Sequence, residues 1–338
     1  MSLQPMPPYP WQQSLWENFV SWVEQERLAH ALLIAGPEGL GGLALARAMA
    51  QYLLCNAATG PLACGKCRSC QLIDSETHPD LFAVQPEAPS TAIKIDQIRQ
   101  LSGFIGKTAQ QGGRKVVIIA PAEAMNINAA NALLKNLEEP AGRTHMLVVS
   151  PEPSRLLATI RSRCAKLVLT APQGDEALHW LTQAGVTDAE QLLMHAGGEP
   201  LKVQRWFEQD FSAQQDRMRK DLEELASGQR SPLAVAKAWL DFRSVEAVDC
   251  LLIWVQQAIK HHQVGQGAIG RVAEVHSFNR WLAGVPVQLL FRYWDKLTHT
   301  KKELLSTNNP NPELLLDELL IGWAALCRQG RSPRASVS

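Results

Sequence analysis

The sequence predicts an α/β domain built on a doubly wound parallel sheet, followed by segments that are entirely helical. Short apolar runs alternate with amphipathic stretches up to about residue 170, which is typical of parallel strands covered by helices on both faces. The stretch APQG at 171–174 ends this alternation. Beyond it, apolar residues recur only at helical spacing, so we expect no further strands.

Five strands are expected in the first part of the chain, where short apolar runs are bounded by turn residues. They are 31–35, 81–85, 115–120, 146–150 and 166–169. Helices are expected where apolar residues recur every three or four positions. They are 14–27, 43–54, 95–105, 126–138 and 156–161. In the third of these helices, Asp96 is placed to cap the amino end.

The second part of the chain is helical in pattern throughout. Its helical patterns are 175–183, 189–196 and 201–208, followed by 211–327. The expected domains are an α/β domain at 1–170 with a cysteine module at 55–70, a small helical domain at 171–209, a C-terminal helical domain at 210–328 and a disordered tail at 329–338. The tryptophans expected to pack in the C-terminal domain or at an interface are Trp239, Trp254, Trp281, Trp294 and Trp323.

Composition and charge restrict the classes of function. The chain has 338 residues, of which 46% are hydrophobic, and its formal net charge is zero. A neutral chain does not indicate bulk electrostatic binding to DNA, although a local basic face remains open. No apolar run reaches the roughly eighteen residues of a membrane span, and the start lacks the pattern of a secretory signal. We therefore expect a cytoplasmic protein with no membrane partner.

A glycine-rich loop with the sequence GPEGLGG follows the first predicted strand and precedes a predicted helix. Its position and spacing match the P-loop pattern G-x-x-x-x-G-K-[ST], with Gly36 and Gly41 as the two glycines. However, Gly42 stands at the position of the phosphate-binding lysine, and Leu43 at that of the metal-binding hydroxyl. This loop therefore lacks the side chains that bind a nucleotide and its metal.

The partner strand of a P-loop lacks its charged group as well. In nucleotide hydrolases this strand ends in an aspartate that holds Mg²⁺, but strand 115–120 runs into Ala120 and Pro121. Glu123 follows two residues later and is not assigned this role. Because both halves of the site are defective together, we expect no ATP hydrolysis at this loop.

Four cysteines are crowded into one short stretch with the spacing C-x8-C-x2-C-x2-C, at Cys55, Cys64, Cys67 and Cys70. Four thiolates with two tight C-x2-C steps suit tetrahedral zinc, and a site with all four positions filled is structural. Free thiols or a redox C-x2-C pair are the alternatives. The other cysteines, expected to be buried and inert, are Cys164, Cys250 and Cys327.

Three further stretches resemble one protein family. They are NALLKNLEEP at 131–140, LATIRSRC at 157–164, and the amino-terminal part from 9 to 34. Together they are similar to bacterial members of the clamp-loader group of AAA+ ATPases. The resemblance implies an AAA+ domain with a similar zinc module, a helical lid at 171–209 and a helical collar that joins subunits into a ring.

The resemblance also implies a role for the tripeptide Ser162-Arg163-Cys164. In the family this arginine reaches the ATP phosphates of a neighbouring subunit. Leu201 stands where the lid of an active member carries its nucleotide-sensing arginine. The resemblance thus implies a non-hydrolysing subunit of a DNA polymerase III assembly. Its partners would be gamma or tau and delta subunits in a five-member ring, and through the ring the beta sliding clamp and primer–template DNA.

Two other functions remain open on the sequence alone. The chain could be a self-sufficient AAA+ ATPase in which Lys115 or Lys202 replaces the missing lysine. It could also be a zinc-dependent nucleic-acid-binding module without an ATPase partner. Neutral charge and a structural type of cysteine site speak against the second alternative.

Overall fold

The computed structural model describes most of the chain, in segments separated by short gaps. The described residues are 8–58, 60–111, 113–139, 142–173, 175–208, 211–240, 244–264, 282, 284–305 and 310–331. The chain divides into two compact units, residues 1–208 and 209–338. Residues 171–208, assigned above to a small helical domain, therefore cluster with the α/β domain in the first unit.

The first unit contains a five-stranded parallel sheet, as the alternating pattern predicted. Its strands are β1 (Ala31–Ala35), β2 (Leu81–Val84), β3 (Lys115–Ile119), β4 (Thr144–Ser150) and β5 (Ala165–Val168). Their order in the sheet is β2-β3-β4-β1-β5, and every neighbouring pair is parallel. All carboxyl ends thus lie at one edge of the sheet, where α/β folds bind their ligands.

The helices of the first unit agree with the predicted ones to within a few residues, with one addition. They are α1 (Gln13–Glu24), α2 (Gly42–Leu54), α3 (Arg68–Asp74), α4 (Ile95–Ile105), α5 (Ile127–Glu138), α6 (Ala158–Arg161), α7 (Glu176–Gln183), α8 (Ala189–His195) and α9 (Pro200–Glu208). The addition is α3, which lies within and after the cysteine module. It is too short to show a periodic apolar pattern.

The predicted cap of α4 is wrong. Asp96 lies inside the first turn and pairs with Arg99 at 2.8 Å. The free amide of Lys94 instead donates to the side-chain oxygen of Gln97 at 2.9 Å. By contrast, α5 is capped as its sequence suggests, because the Asn126 side chain accepts the amide of Ala129 at 2.8 Å.

The sheet is covered on both faces, which gives two separate apolar clusters. Helices α1 and α2 cover one face; their buried residues include Trp16, Phe19, Leu45 and Met49, packed with Leu32 and Ile34 of β1. Helices α4 and α5 cover the other; their buried residues include Ile98, Leu101 and Leu133, packed with Leu33 and Val117. This arrangement confirms the doubly wound fold.

The second unit is helical in its described residues. Its helices are α10 (Phe211–Ser227), α11 (Pro232–Trp239), α12 (Ser244–Val264), α13 (Val287–Leu304) and α14 (Pro312–Arg331). Trp239 and Trp323 are fully buried, and the indole of Trp239 donates to Asp221 at 2.9 Å. Trp281 lies outside the described residues.

The predicted tail begins too early. Helix α14 continues through Arg331, so 329–331 are helical, while 332–338 lie outside the described residues. Among the helices that are described, none is long and apolar enough to cross a membrane.

Candidate functional sites: glycine loop, cysteine cluster and Arg163

The glycine loop has the strand–turn–helix geometry that its sequence predicts. A single 3-10 turn over Glu38–Leu40 joins β1 to α2. Gly41 closes this turn with φ of 81°, a left-handed conformation that favours glycine. At Gly36, a Cβ atom would lie 2.6 Å from the carbonyl oxygen of Leu169. Glycine is therefore required at both positions by the packing of the loop itself.

The lid occupies the mouth of this loop. The backbone N–H of Gly39 donates to the Glu199 carboxylate at 3.0 Å, just before α9 begins. A second contact ties the same helix to the turn, because Arg205 pairs with Glu38 at 2.9 Å. Loop amides of this kind hold phosphate oxygens in P-loop proteins. Here a carboxylate of the same chain takes that hydrogen bond.

The amino-terminal segment fills the remaining space around the loop. A Cβ at Gly41 would lie 2.7 Å from the Tyr9 ring and 3.0 Å from Leu201. The Tyr9 ring stacks on Trp11 with centroids 4.9 Å apart, and the Trp11 indole donates to the carbonyl of Leu40 at 3.0 Å. Thus Leu201 packs against the loop as an apolar residue.

The positions of the missing P-loop side chains are not open for a simple exchange. A Cβ at Gly42 would already lie 3.3 Å from side-chain atoms of Leu169 and Val149. Leu43 points outward and is 37% exposed. A side chain at Gly42 would therefore require its neighbours to move by a few tenths of an ångström, whereas a change at Leu43 would not.

Of the two lysines proposed as substitutes, Lys115 lies away from the loop, whereas Lys202 lies beside it, because a Cβ at Gly39 would be 3.1 Å from the Lys202 Cβ. Lys115 lies at the amino end of β3, the sheet edge opposite the loop, and its ammonium donates to the carbonyls of Phe104 (2.5 Å) and Lys107. The Lys202 ammonium lies over the Trp206 ring, 5.1 Å from its centroid. For Lys115, the substitute role is therefore wrong, because the lysine caps the end of α4.

The carboxyl end of β3 lies at the same sheet edge as the glycine loop and is followed by two residues without a carboxylate. Ala120 and Pro121 follow β3 as the sequence states. The carboxylate of Glu123 accepts the Ser150 hydroxyl at 2.7 Å and the amide of Glu152 at 3.1 Å. It thus fixes the end of β4 to the turn after β3.

The four cysteines of the module converge as predicted. Their sulfur atoms all lie within 4.8 Å of one another. The Sγ–Sγ distances are 3.9 Å for Cys55–Cys67, 4.0 Å for Cys64–Cys70 and 3.6 Å for Cys67–Cys70. Zinc–sulfur bonds of about 2.3 Å in a tetrahedron require sulfurs about 3.8 Å apart. The cluster therefore fits a zinc ion, and these separations are far too long for disulfides.

The surroundings of the four cysteines shift the pKa values of their thiols in different directions. Burial raises the pKa of the Cys67 thiol, but hydrogen bonds from the amides of Cys70 and Asn56 outweigh this and bring it to about 6. Burial raises the pKa of Cys70. A bound divalent cation would favour the deprotonated form of all four thiols.

A buried polar chain joins the cysteine module to the sheet. The amide of Asp80 donates to Nδ1 of His78 at 3.0 Å, so Nε2 carries the proton that it shares with Ser69 Oγ at 2.6 Å. The Asp80 carboxylate accepts the amides of Gln110 and Gln111 at 2.8 and 2.6 Å. Helix α3 is thereby fixed to β2 and to the loop after α4, a connection that sequence reasoning did not find.

Arg163 lies near the amino ends of the strands, whereas the glycine loop lies at their carboxyl ends. It precedes β5, whose first residue, Ala165, is level with Leu32 near the start of β1. At about 3.3 Å per strand residue, the loop after β1 is on the order of 15 Å or more away. The Arg163 guanidinium donates to the carbonyl of Thr159 at 3.0 Å and to Glu138 at 2.5 Å.

The neighbours of Arg163 in the tripeptide have separate environments. The Ser162 hydroxyl donates to the carbonyl of Thr159 at 3.1 Å. Cys164 is buried in the apolar cluster under α5, and burial raises its pKa to about 11, so it is an unreactive thiol. Arg155, another arginine in this region, pairs locally with Glu152 at 3.7 Å.

Several functional contacts were missed from the sequence. Glu199, Tyr9 and Glu138 all meet their partners only through the fold. A signal was available for Glu138 and for Tyr9, because they belong to the stretches 131–140 and 9–34 that the family resemblance singled out.

Fold and sites together define a P-loop type of α/β protein whose loop is closed by its own chain and which carries a four-cysteine module. The family model described as DNA polymerase III, delta subunit matches residues 11–173, and that described as its C-terminal part matches 209–325. Relatives named DNA polymerase III subunit delta' match along nearly the whole chain, so the chain belongs to the delta-prime family of DNA polymerase III clamp-loader subunits.

Relatives along the whole length support this assignment. DNA polymerase III subunit delta' of Pseudomonas aeruginosa is 38% identical, over 94% of this chain and 98% of that protein. The subunit of the same name from Escherichia coli K12 is 33% identical, over 93% and 94%. A solved gamma-subunit-related protein of Thermotoga maritima covers 94% of this chain and 99% of its own, at 18% identity and a TM-score of 0.43. That similarity is too low to support a conclusion.

For the cysteine cluster we predict about one zinc ion per purified chain, because all four thiols are in ligand positions. Cys67→Ser should lower the zinc content and the thermal midpoint together, since metal binding stabilises the folded module. Cys327→Ala, at a buried cysteine outside the cluster, should retain the zinc. Metal analysis by mass spectrometry checks this, and a native chain with almost no zinc would contradict it.

For the glycine loop we predict that restoring the P-loop residues does not restore nucleotide binding. In Gly42→Lys with Leu43→Thr, the Glu199 carboxylate and the Tyr9 and Leu201 side chains still fill the loop. Calorimetry should therefore detect no ATP binding tighter than about 1 mM. Leu43→Thr alone, at a partly exposed position, is the folding control. Saturable micromolar binding by the double variant would contradict the prediction.

Proposed function

We propose that this chain is the non-hydrolysing subunit of a clamp loader and supplies Arg163 to the ATP site of a neighbouring subunit. Family membership makes the chain an accessory subunit of the DNA polymerase III assembly. The finer proposal is that it stands in a five-member ring beside gamma or tau and delta subunits. That ring would load the beta sliding clamp onto primed DNA.

The separation of Arg163 from the chain's own loop is the observation that supports this proposal most. An arginine at the opposite edge of the sheet is too far to reach a nucleotide bound at the loop after β1. A nucleotide that this arginine serves must therefore belong to another chain. The carboxylate at Gly39 and the apolar residues at Gly41 support the second half of the proposal, that the chain's own loop takes part in no hydrolysis.

Guanidinium chemistry suits this role. Arginine is permanently charged and presents a planar fork of N–H donors that matches phosphate oxygens. Charge builds up on these oxygens as the terminal phosphoryl group is transferred, and an arginine supplied by a partner accelerates such reactions by about 10³–10⁵. With 35% of its side chain exposed, Arg163 is accessible to a partner.

The cysteine cluster is proposed to hold a structural zinc ion. The cysteine module packs on the core of the domain. The Trp16 indole donates to the carbonyl of Pro61 at 2.8 Å, and Ile73 contacts the apolar cluster under α2. Filled ligand positions and an anchored module favour a stabilising role. Neither observation favours a separate nucleic-acid-binding activity, and the engagement of Lys115 removes one support for a self-sufficient ATPase.

We predict that Arg163→Ala abolishes hydrolysis at one ATP site of the assembled loader while the variant still folds, binds zinc and joins the complex. The site that adjoins this chain should slow by about 10³-fold or more, because its transition state loses a positive charge. Single-turnover hydrolysis is measured on the complex with primed DNA and clamp. The ATP bound at the site that adjoins this chain should remain uncleaved.

Arg155→Ala is the matched control, since Arg155 lies nearby and pairs within its own turn. It should leave the single-turnover time course unchanged. An Arg163→Ala complex that hydrolyses all its bound ATP at the normal rate would rule out the arginine role.

A further inference from the structure

The Arg163 guanidinium is held by two acceptors that come from different motifs. Nη1 donates to the carbonyl of Thr159 at 3.0 Å, one turn earlier in α6. Nη2 donates to the carboxylate of Glu138 at 2.5 Å. Glu138 is the last residue of α5 and an acidic residue of the NALLKNLEEP stretch. The two family motifs therefore meet at one hydrogen bond.

Both acceptors stand on elements that are fixed by packing. Helix α5 buries Leu133 and Leu137 against the sheet, and its amino end is capped by Asn126. The short helix α6 buries Ile160 in the same cluster. A guanidinium bound to both helices consequently has its position set by the core of the domain, although the side chain itself is partly exposed.

The hydrogen bonds leave donors for a further ligand. Guanidinium carries five N–H groups, and the two contacts of Arg163 use one on each terminal nitrogen. Three N–H groups thus remain for oxygens presented from outside. A guanidinium that is held by two of its N–H groups and keeps the others for a ligand is preorganised to bind a phosphate.

Stability does not explain the pair well. The side chains of Arg163 and Glu138 are 35% and 50% exposed, and exposed ion pairs contribute little to the free energy of unfolding. A role in holding the guanidinium therefore fits the geometry better than a role in folding. It also means that Glu138 can be changed with little risk to the fold.

We propose that Glu138 is a positioning residue for Arg163, which it holds ready for the phosphates of a neighbour's nucleotide. This inference rests on the proposed function of Arg163 in trans. Glu138 acts through the hydrogen bond to Nη2 and touches no nucleotide itself. The amide oxygen of glutamine can accept the same bond, whereas alanine cannot.

The test is the ATPase of the loader reconstituted with full-length variants, primed DNA and clamp. Single-turnover hydrolysis isolates the site that adjoins this chain. Glu138→Ala should slow that site about tenfold or more, because a misplaced catalytic group loses much of its effect. Glu138→Gln should stay within about twofold of the native rate. The KM for ATP should not change in either variant.

Two controls make the result specific. Glu139→Ala removes the neighbouring exposed carboxylate and should leave the rate unchanged. Adding Glu138→Ala to Arg163→Ala should cause no further loss, because residues that act through one another are not additive. Thermal unfolding and assembly of every variant should match the native chain.

The outcomes separate the two proposals. If Arg163→Ala has no effect, the proposed function itself fails. If Arg163→Ala abolishes hydrolysis at the site but Glu138→Ala leaves it at the native rate, only the positioning role is overturned. A faster Glu138→Ala complex would also overturn it, since the carboxylate would then compete with phosphate for the arginine. Equal losses in the glutamine and alanine variants would exclude positioning by the hydrogen bond.

Discussion

The hydrogen bond from the Gly39 amide to the Glu199 carboxylate joins the lid to the glycine loop, and the other contacts of the loop are arranged around it. Arg205 and Glu38 pair beside it, while the Tyr9 ring covers Gly41. A carboxylate carries the same sign of charge as a phosphate and satisfies the same donor. The loop glycines are thus required by packing, and a carboxylate of the same chain occupies the Gly39 donor.

The parallel sheet separates the glycine loop from Arg163, the arginine proposed to act on a neighbour's nucleotide. Strands that all run in one direction place the loop at their carboxyl ends and Arg163 before the amino end of β5. Under the proposed function, changes at the loop would therefore leave the position of Arg163 undisturbed. The cysteine module lies at a third place and is joined to the sheet through the buried hydrogen bond between Ser69 and His78.

Much of this architecture could be predicted, because it depends on local pattern. The strand 31–35 is a continuous apolar run, and the cysteine cluster is fixed by spacing alone. The contact of Gly39 with Glu199 was missed because it spans 160 positions and leaves no periodic trace. Lys115 was a reasonable candidate for the loop until the fold placed it at the opposite edge. Which carboxylate holds Arg163 is likewise decided only by the packing of α5 against α6.

The most direct test of a self-filled loop is hydrogen exchange in the native chain, measured by mass spectrometry with and without excess Mg-ATP. Peptides covering residues 36–46 contain the Gly39 amide that Glu199 already protects. The account predicts that their exchange is the same in both conditions, because Glu199 already occupies the Gly39 amide and the Tyr9 and Leu201 side chains lie against Gly41. Slower exchange confined to these peptides when ATP is added would show that a nucleotide enters the loop and would contradict the account.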